Sequence, residues 1–405
     1  MGRKVLISFL GTGPVEKGAN RREYRTANYH IDDNEYVRTF VADALTEHYG
    51  IDTVFMIGTV KSMWEELYRV FCAKRGVEID EDYYAELGSI SETATSKSKL
   101  ELPDKKKIEK VLGRDSHIVL INYGLNEEEV NNNISAILSL EKDLKNGDEL
   151  YVDITHSFRS LPLLVMNTLI YLQNVSGKAI QIKKISYGML DIKNEIGYVP
   201  VVDLKKVLEV NDWIVGAYSF SEFGNAYKIA HLLKDIDKDA ANRLTDFSNA
   251  CNINNMLALQ KSTQQLSGIK LDKLPPIAQM TVAPVVKEFI KTIGRFDSTS
   301  EFQYKLAKWH RDKHNYYAAY LTLVEAIVSY ACEECYFNET DKDERDGAKK
   351  LIVTNPKFDY LKPIYRNVNN IRAHLAHAMD IKENNDQIKK VLNDAIETLK
   401  EVMIR

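Results

Sequence analysis

Two stretches of this chain gather reactive residue types at one place. The first is Asp153-Ile154-Thr155-His156-Ser157-Phe158-Arg159-Ser160, which follows a strand-like run at 149–152 and opens an apolar run at 161–172. That order predicts a strand, a tight polar turn and a helix start. Amide donors at a helix N-terminus, two hydroxyls and a cation together are chemistry for holding phosphate. Thr155 and Ser157 are also good N-caps, so a plain helix cap competes with that reading. A cap does not require His156 or Arg159. The second stretch, residues 365–378, carries Arg366, Arg372, His374 and His377. In a helix Arg372 and His377 stand roughly 140° apart around the axis, so they share no narrow stripe. Cations beside histidines suit a phosphodiester. An imidazole can move a proton while a guanidinium steadies charge on the phosphate oxygens, and RNA cleavage by this route needs no metal. A surface helix with incidental His and Arg is the alternative.

Other candidates are weaker. Gly13 and Gly18 have the glycine spacing of a Walker loop, but Ala19-Asn20 stands where Lys-Ser/Thr must be. Residues 11–16 lack the third glycine of a dinucleotide fingerprint, and the second strand ends in Gly58-Thr59 rather than an acid for a ribose. His310 and His314 lack the intervening glutamate of a zinc-peptidase helix and read as a solvated face. Cys332 and Cys335 form a lone CxxC in an apolar helix and read as core thiols. Trp309, Tyr316 and Tyr317 could stack on RNA, although an aromatic core accounts for them as well.

Positioning these residues requires two kinds of architecture. Up to about residue 204, short β-branched runs at 4–10, 53–57, 117–121, 149–154 and 180–187 alternate with helical patterns at 34–49, 61–74, 126–144 and 159–172. Continuous apolar strands separated by helices predict a doubly wound, parallel-rich sheet covered on both faces. Such sheets bind ligands outside the carboxyl ends of their strands. Each predicted end carries small or polar residues, namely Gly11-Thr12-Gly13, Gly58-Thr59, Asn122-Tyr123-Gly124, the 153–160 stretch and Tyr187-Gly188. Residues 198–204 are placed as an edge strand reached by a hairpin. Beyond residue 205 the alternation stops. Helical patterns follow at 204–218, 222–233, 240–266, 277–295, 300–312, 316–336, 357–379 and 385–404, with Pro275-Pro276 and Pro284 as breaks and the charged segment 338–347 as a loop. The division predicted is 1–204, a connector at 205–297 and a bundle at 298–405.

The totals agree with a soluble multidomain chain of 405 residues, 28% charged, with net charge −4. That balance gives no global pull toward nucleic acid, so any RNA site is local. Four scattered cysteines make no disulfide framework. No signal-peptide core follows the first residues and no run reaches membrane length, which predicts a cytoplasmic protein with no membrane partner.

The stretches Ile7-Ser8-Phe9-Leu10-Gly11-Thr12-Gly13, Tyr123-Gly124-Leu125-Asn126-Glu127 and Asp153–Pro162 resemble the hallmarks of CARF domains, the CRISPR-associated Rossmann-like sensors. Arg372 and His377 resemble the R-x(4–6)-H motif of HEPN ribonucleases. Together they resemble the CARF–HEPN ribonucleases of type III CRISPR defence along essentially the whole chain. The resemblance implies a Rossmann-like α/β CARF domain, an all-α connector and an all-α HEPN bundle. It implies a homodimer or higher homo-oligomer that binds a cyclic oligoadenylate, tetra-adenylate before hexa-adenylate, as allosteric activator. The composite HEPN site would then cut single-stranded RNA, with no cofactor or metal for catalysis, leaving a 2′,3′-cyclic phosphate and a 5′-hydroxyl. On this resemblance Arg372 and His377 are catalytic, while Gly11, Thr12, Gly13, Thr155, His156, Ser157 and Arg159 line the activator pocket. One departure is Ala373, where the family commonly has Asn. It favours, as alternative, a ligand-binding regulator with weak or no nuclease activity. A CARF pocket that degrades its own activator is a further alternative.

Overall fold

The computed structural model describes residues 2–13, 26–156, 160–379 and 383–404. The chain forms two compact units, 1–209 and 210–405, and the division falls inside one helix.

The first unit is built on an eight-stranded sheet. Its strands are β1 (Lys4–Leu10), β2 (Ala27–Ile31), β3 (Asn34–Arg38), β4 (Thr53–Gly58), β5 (His117–Leu120), β6 (Glu149–Asp153), β7 (Gln181–Gly188) and β8 (Val199–Asp203), in the order β3-β2-β8-β7-β6-β1-β4-β5. From β5 to β7 every pairing is parallel. Strand β8 joins β7 antiparallel, as the hairpin expected for 198–204 requires, but it lies inside the sheet and not at its edge, because β2 pairs with its other side. The helices of this unit are α1 (Val41–Tyr49), α2 (Trp64–Arg75), α3 (Glu81–Thr93), α4 (Lys105–Leu112), α5 (Glu127–Leu138), α6 (Leu161–Asn174) and the single turn α7 (Lys193–Ile196). Side chains alternate across the strands and feed two cores. Leu6, Leu10, Val54 and Met56 pack with Val41, Trp64, Leu67, Phe71 and Ile108 on one face. Val5, Ile7, Phe9, Phe55 and Ile57 pack with Ile137, Val165 and Leu169 on the other. Burial on both faces explains why these strands read as unbroken apolar runs.

Two further expectations fail here. Residues 34–49 do not form one helix: Asn34–Arg38 is a strand, paired antiparallel with β2, and the helix begins only at Val41. The hairpin turns at Asp32-Asp33, with Asp32 at φ +50°, a conformation that aspartate tolerates. Helices α3 and α4 lie where no element was predicted.

The second unit is entirely helical among the described residues. Helix α8 (Lys206–Phe223) enters it, followed by α9 (Tyr227–Leu233), α10 (Lys238–Asn252), α11 (Met256–Leu266), α12 (Pro276–Thr292), α13 (Thr299–Asp312), α14 (Tyr316–Cys335), α15 (Lys342–Thr354), α16 (Lys362–Ala376) and α17 (Asn385–Met403). One core forms around Phe220, Phe247 and Phe289, whose ring centroids lie 5.0–5.6 Å apart. A second forms around α14, with α13, α15, α16 and α17 packed against it. Buried tyrosine hydroxyls tie this second core together: Tyr304 donates to the Ile396 carbonyl at 2.8 Å and Tyr320 to the Ile388 carbonyl at 2.7 Å.

Three sequence readings are corrected in this unit. The pattern at 240–266 is two helices, because Asn254 turns left-handed at φ +53° and Asn255 caps α11 by accepting from the Ala258 amide. Pro284 does not break a helix but sits inside α12. The segment 338–347 is only half loop: Asp341 caps α15, which buries Ala348 and Ile352.

Candidate functional site

The sheet order places the topological switch point between β1 and β6. After β1 the chain makes the β2–β3 hairpin at the far edge, then adds β4 and β5 on one side of β1 and returns to β6 on the other. In sheets of this kind ligands bind outside the carboxyl ends of the strands that flank the switch point. Gly11, Thr12 and Gly13 follow β1, and Thr155 and His156 follow β6, so the structure brings these two predicted groups to adjacent strand ends. Ser157 and Arg159 lie outside the described residues.

A polar relay fixes the rim. The Ser8 hydroxyl donates to Asp153 Oδ2 at 2.6 Å, both residues being fully buried. Asp153 Oδ1 accepts the Thr155 amide at 2.9 Å, and Thr155 Oγ1 accepts the Gly188 amide at 2.8 Å. A side chain at Gly188 would meet Thr155 at 3.1 Å, so the glycine permits that approach. The Thr155 hydroxyl is thus a brace to β7 and not a helix cap. The residue preceding α6 is Ser160, whose side chain makes no capping bond. On the β1 side, the Ser62 hydroxyl donates to the Leu10 carbonyl and the Met63 amide to the Gly11 carbonyl. Gly13 has φ +66°, and an added Cβ would lie 2.3 Å from Met63 Sδ.

Burial holds the His156 imidazole below its usual range, with the Asp153 charge opposing. Burial and the Asp153 charge push the Tyr29 hydroxyl upward. Ser8 and Tyr29 were missed in the sequence. The signal for Ser8 was a lone hydroxyl in an otherwise apolar strand.

The other rim positions are occupied by local structure. Asn122 exchanges two hydrogen bonds with the Asn133 side chain, and the Gly124 and Leu125 amides donate to Glu129. Thr59 binds Ser62 and Trp64.

In the second unit, Arg372 is half-buried on the last turns of α16 and donates from Nη2 to Asn369 Oδ1 at 2.6 Å. His377 is exposed and lies just past the helix, as its C-cap, with φ −105°. The helical angle between the two therefore does not apply. The His374 ring contacts the Asn370 carbonyl at 2.7 Å. Arg372 lines an open cleft of about 410 Å³ with the α10–α11 turn and with Leu321 and Glu325 of α14.

His310 does not belong to a solvated face. It continues the buried stripe of Phe302 and Leu306, and burial lowers its pKa to about 4. Cys332 and Cys335 are free thiols, the first in the core and the second packed against it. Trp309 packs edge-on against Phe289 at 5.6 Å, as an aromatic core predicts. Among the described residues no three His, Cys, Asp or Glu side chains cluster in a way that could hold a metal, and no helix is long and apolar enough to cross a membrane.

The fold and rim define a Rossmann-like α/β domain with its loops gathered at the switch point, followed by a helical unit. Residues 5–190 match the family model of the CARF domain of the CRISPR system endoribonuclease Csx1, and residues 209–301 match that of the second domain of CRISPR-associated protein MJ1674. This chain is similar, over its first unit, to the CARF domains of CRISPR-associated proteins. It is 34% identical over 424 residues to CRISPR-associated protein MJ1674 of Methanocaldococcus jannaschii, an alignment covering 98% of this chain and 66% of that relative. The chain thus spans slightly less than two thirds of the relative's length. Enterococcus italicus Csm6 bound to cyclic hexa-2′-fluoro-hexa-dAMP aligns at TM-score 0.42 and 10% identity, covering 100% of this chain and 94% of that one.

Proposed function

We propose that this chain is an accessory endoribonuclease of type III CRISPR defence, switched on by a cyclic oligoadenylate. The observation that carries the first half is the braced pair of rim loops, Gly11–Gly13 and Thr155–His156, at the switch point of a CARF-matching domain. In two copies facing each other, these loops with Ser157 and Arg159 hold a ring of phosphates through backbone amides, hydroxyls and cations. Tetra-adenylate is the preferred ring and hexa-adenylate the second.

The catalytic pair is Arg372 and His377, completed by the same pair of a second chain. Arg372 spends one donor on Asn369, and a guanidinium has five. The remaining donors bind the phosphate oxygens as charge builds on them. His377, exposed at the helix end, moves the proton between the 2′-hydroxyl or the leaving 5′-oxygen and solvent. No metal takes part in these steps. Activation requires the ligand to favour the cutting arrangement over the resting one.

The test is incubation of fluorescent single-stranded RNA with the protein and EDTA, with and without each ring. Cutting should depend on a ring, vanish in His377→Ala and leave calorimetric ring affinity unchanged. Arg159→Ala should raise the activating concentration. Loss of ring affinity in His377→Ala would mean that the modules are assigned wrongly. A second reading, a ring-binding regulator that does not cut, draws support from Ala373. Absence of cutting even after Ala373→Asn would favour it over the nuclease.

A further inference from the structure

The cleft beside Arg372 has a wall that does not come from the Arg–His motif. It is the α10–α11 turn, over a hundred residues earlier in the chain. That turn is shaped for presentation. Asn254 is held left-handed at φ +53°, its amide donating to the Cys251 carbonyl at 3.2 Å, and Asn255 is spent capping α11. The Asn254 side-chain amide forms no hydrogen bond among the described residues, and Leu257 is 60% exposed on the first turn of α11. Across the cleft, Glu325 pairs through one carboxylate oxygen with Arg345, which leaves its other oxygen as an acceptor.

We propose that this turn is the base-recognition wall of the RNA site, with Asn254 and Leu257 contacting the nucleotide whose phosphate meets Arg372. The proposal rests on the ribonuclease reading above. An apolar side chain beside an amide is a surface on which a nucleobase can lie flat and be read at its edge. Glu325 adds a preference. A carboxylate repels phosphate and can only accept hydrogen bonds, so its side of the cleft takes a base edge that donates. Adenine, cytosine and guanine carry an exocyclic amino group that donates to the carboxylate, whereas the one edge donor of uracil, N3–H, stands between two carbonyl oxygens that the carboxylate repels. The occupant of this wall is therefore an amino-bearing base of single-stranded RNA.

The experiment uses the full chain with its activating ring and DNA oligonucleotides carrying one ribonucleotide, A, C, G or U, as the only cleavable position. Uracil should be cut about ten-fold less well than the best base, the scale of one lost hydrogen bond, and Glu325→Gln should narrow that gap. Asn254→Gly keeps the left-handed backbone while removing the amide. Combined with Leu257→Ser it should raise KM about ten-fold with kcat changed less, at unaltered ring affinity. Wild-type KM and cut-site preference in the double variant would overturn the proposal. If the wild type binds RNA without cutting, the nuclease reading fails alone and anisotropy decides the wall: about ten-fold weaker binding by the double variant supports it, and equal binding overturns it. If the wild type neither binds nor cuts, both readings fall.

Discussion

The Ser8 hydroxyl donates to the buried Asp153 carboxylate at 2.6 Å, joining the two strands that flank the switch point. The bond spans 145 residues of sequence and sets the direction of the carboxylate. Its other oxygen is thereby presented to the Thr155 amide, and through Thr155 the relay reaches Gly188.

Ser8→Ala should remove one partner from a fully buried carboxylate and cost about 1–3 kcal/mol. Urea unfolding measures this directly. The same variant should weaken the cyclic activator without touching the residues assigned to RNA. Unchanged stability together with unchanged activator affinity would show that the relay does not organise the rim.

Gly13→Ala should be harmful twice over, through its left-handed backbone and through the approach to Met63 Sδ. The backbone alone costs about 1–2 kcal/mol. Adding Met63→Ala should recover the steric part and not the conformational part. Calorimetric titration with the ring would then separate the two, and complete recovery would assign the whole effect to the thioether.

His310 supplies a pH dependence of stability. Its imidazole titrates near 4 when folded because burial disfavours the charged form, against about 6.5 in an unfolded chain. Between those values the unfolded chain binds the extra proton. Stability from this residue is therefore complete above pH 6.5 and lost as pH falls toward 4, on the order of 3 kcal/mol in all. His310→Leu should flatten the denaturation midpoint across that window. An unchanged slope would place the acid sensitivity elsewhere.

Ala373→Asn should raise RNA cleavage by supplying an amide next to Arg372, with no change in ring affinity. Ala373 is half-buried on α16, and the substitution leaves the buried stripe of Tyr365, Val368 and Ile371 intact. Single-turnover rates at saturating activator are the measurement. A rate equal to or below the parent would remove the missing asparagine as the limit on catalysis.

Much of the first unit is legible in the sequence. The five parallel strands announced themselves because both faces are buried, and their polar ends identified the rim. The β2–β3 hairpin did not. Its strands are five residues each, β3 shows mostly exposed residues, and the turn is Asp-Asp without the glycine that usually marks one. Residues 34–49 then fitted a helical period by accident. The charges at 338–347 concealed a helix start, although acidic residues favour a first turn. His310 looked exposed because its chain neighbours are charged, whereas the stripe that decides its burial runs through Phe302 and Leu306. The Ser8–Asp153 bond and the cleft between Arg372 and the α10–α11 turn are long-range contacts, which no local pattern encodes.

The hairpin has a bearing on dynamics. Its attachment to the sheet is a ladder of only two residue pairs, Tyr29 with Val199 and His30 with Pro200, and a proline has no amide to donate. A stack of His30 on Tyr198 at 3.8 Å reinforces the same edge. Against the six paired residues of β1 and β4 this is a thin seam. Amide exchange should therefore release β2 and β3 by sub-global opening well before β1, β4 and β6. Because Tyr29 is buried and feels the charge of Asp153, each such opening momentarily changes the solvation around Asp153, so exchange at the sheet's far edge reports on the switch-point rim.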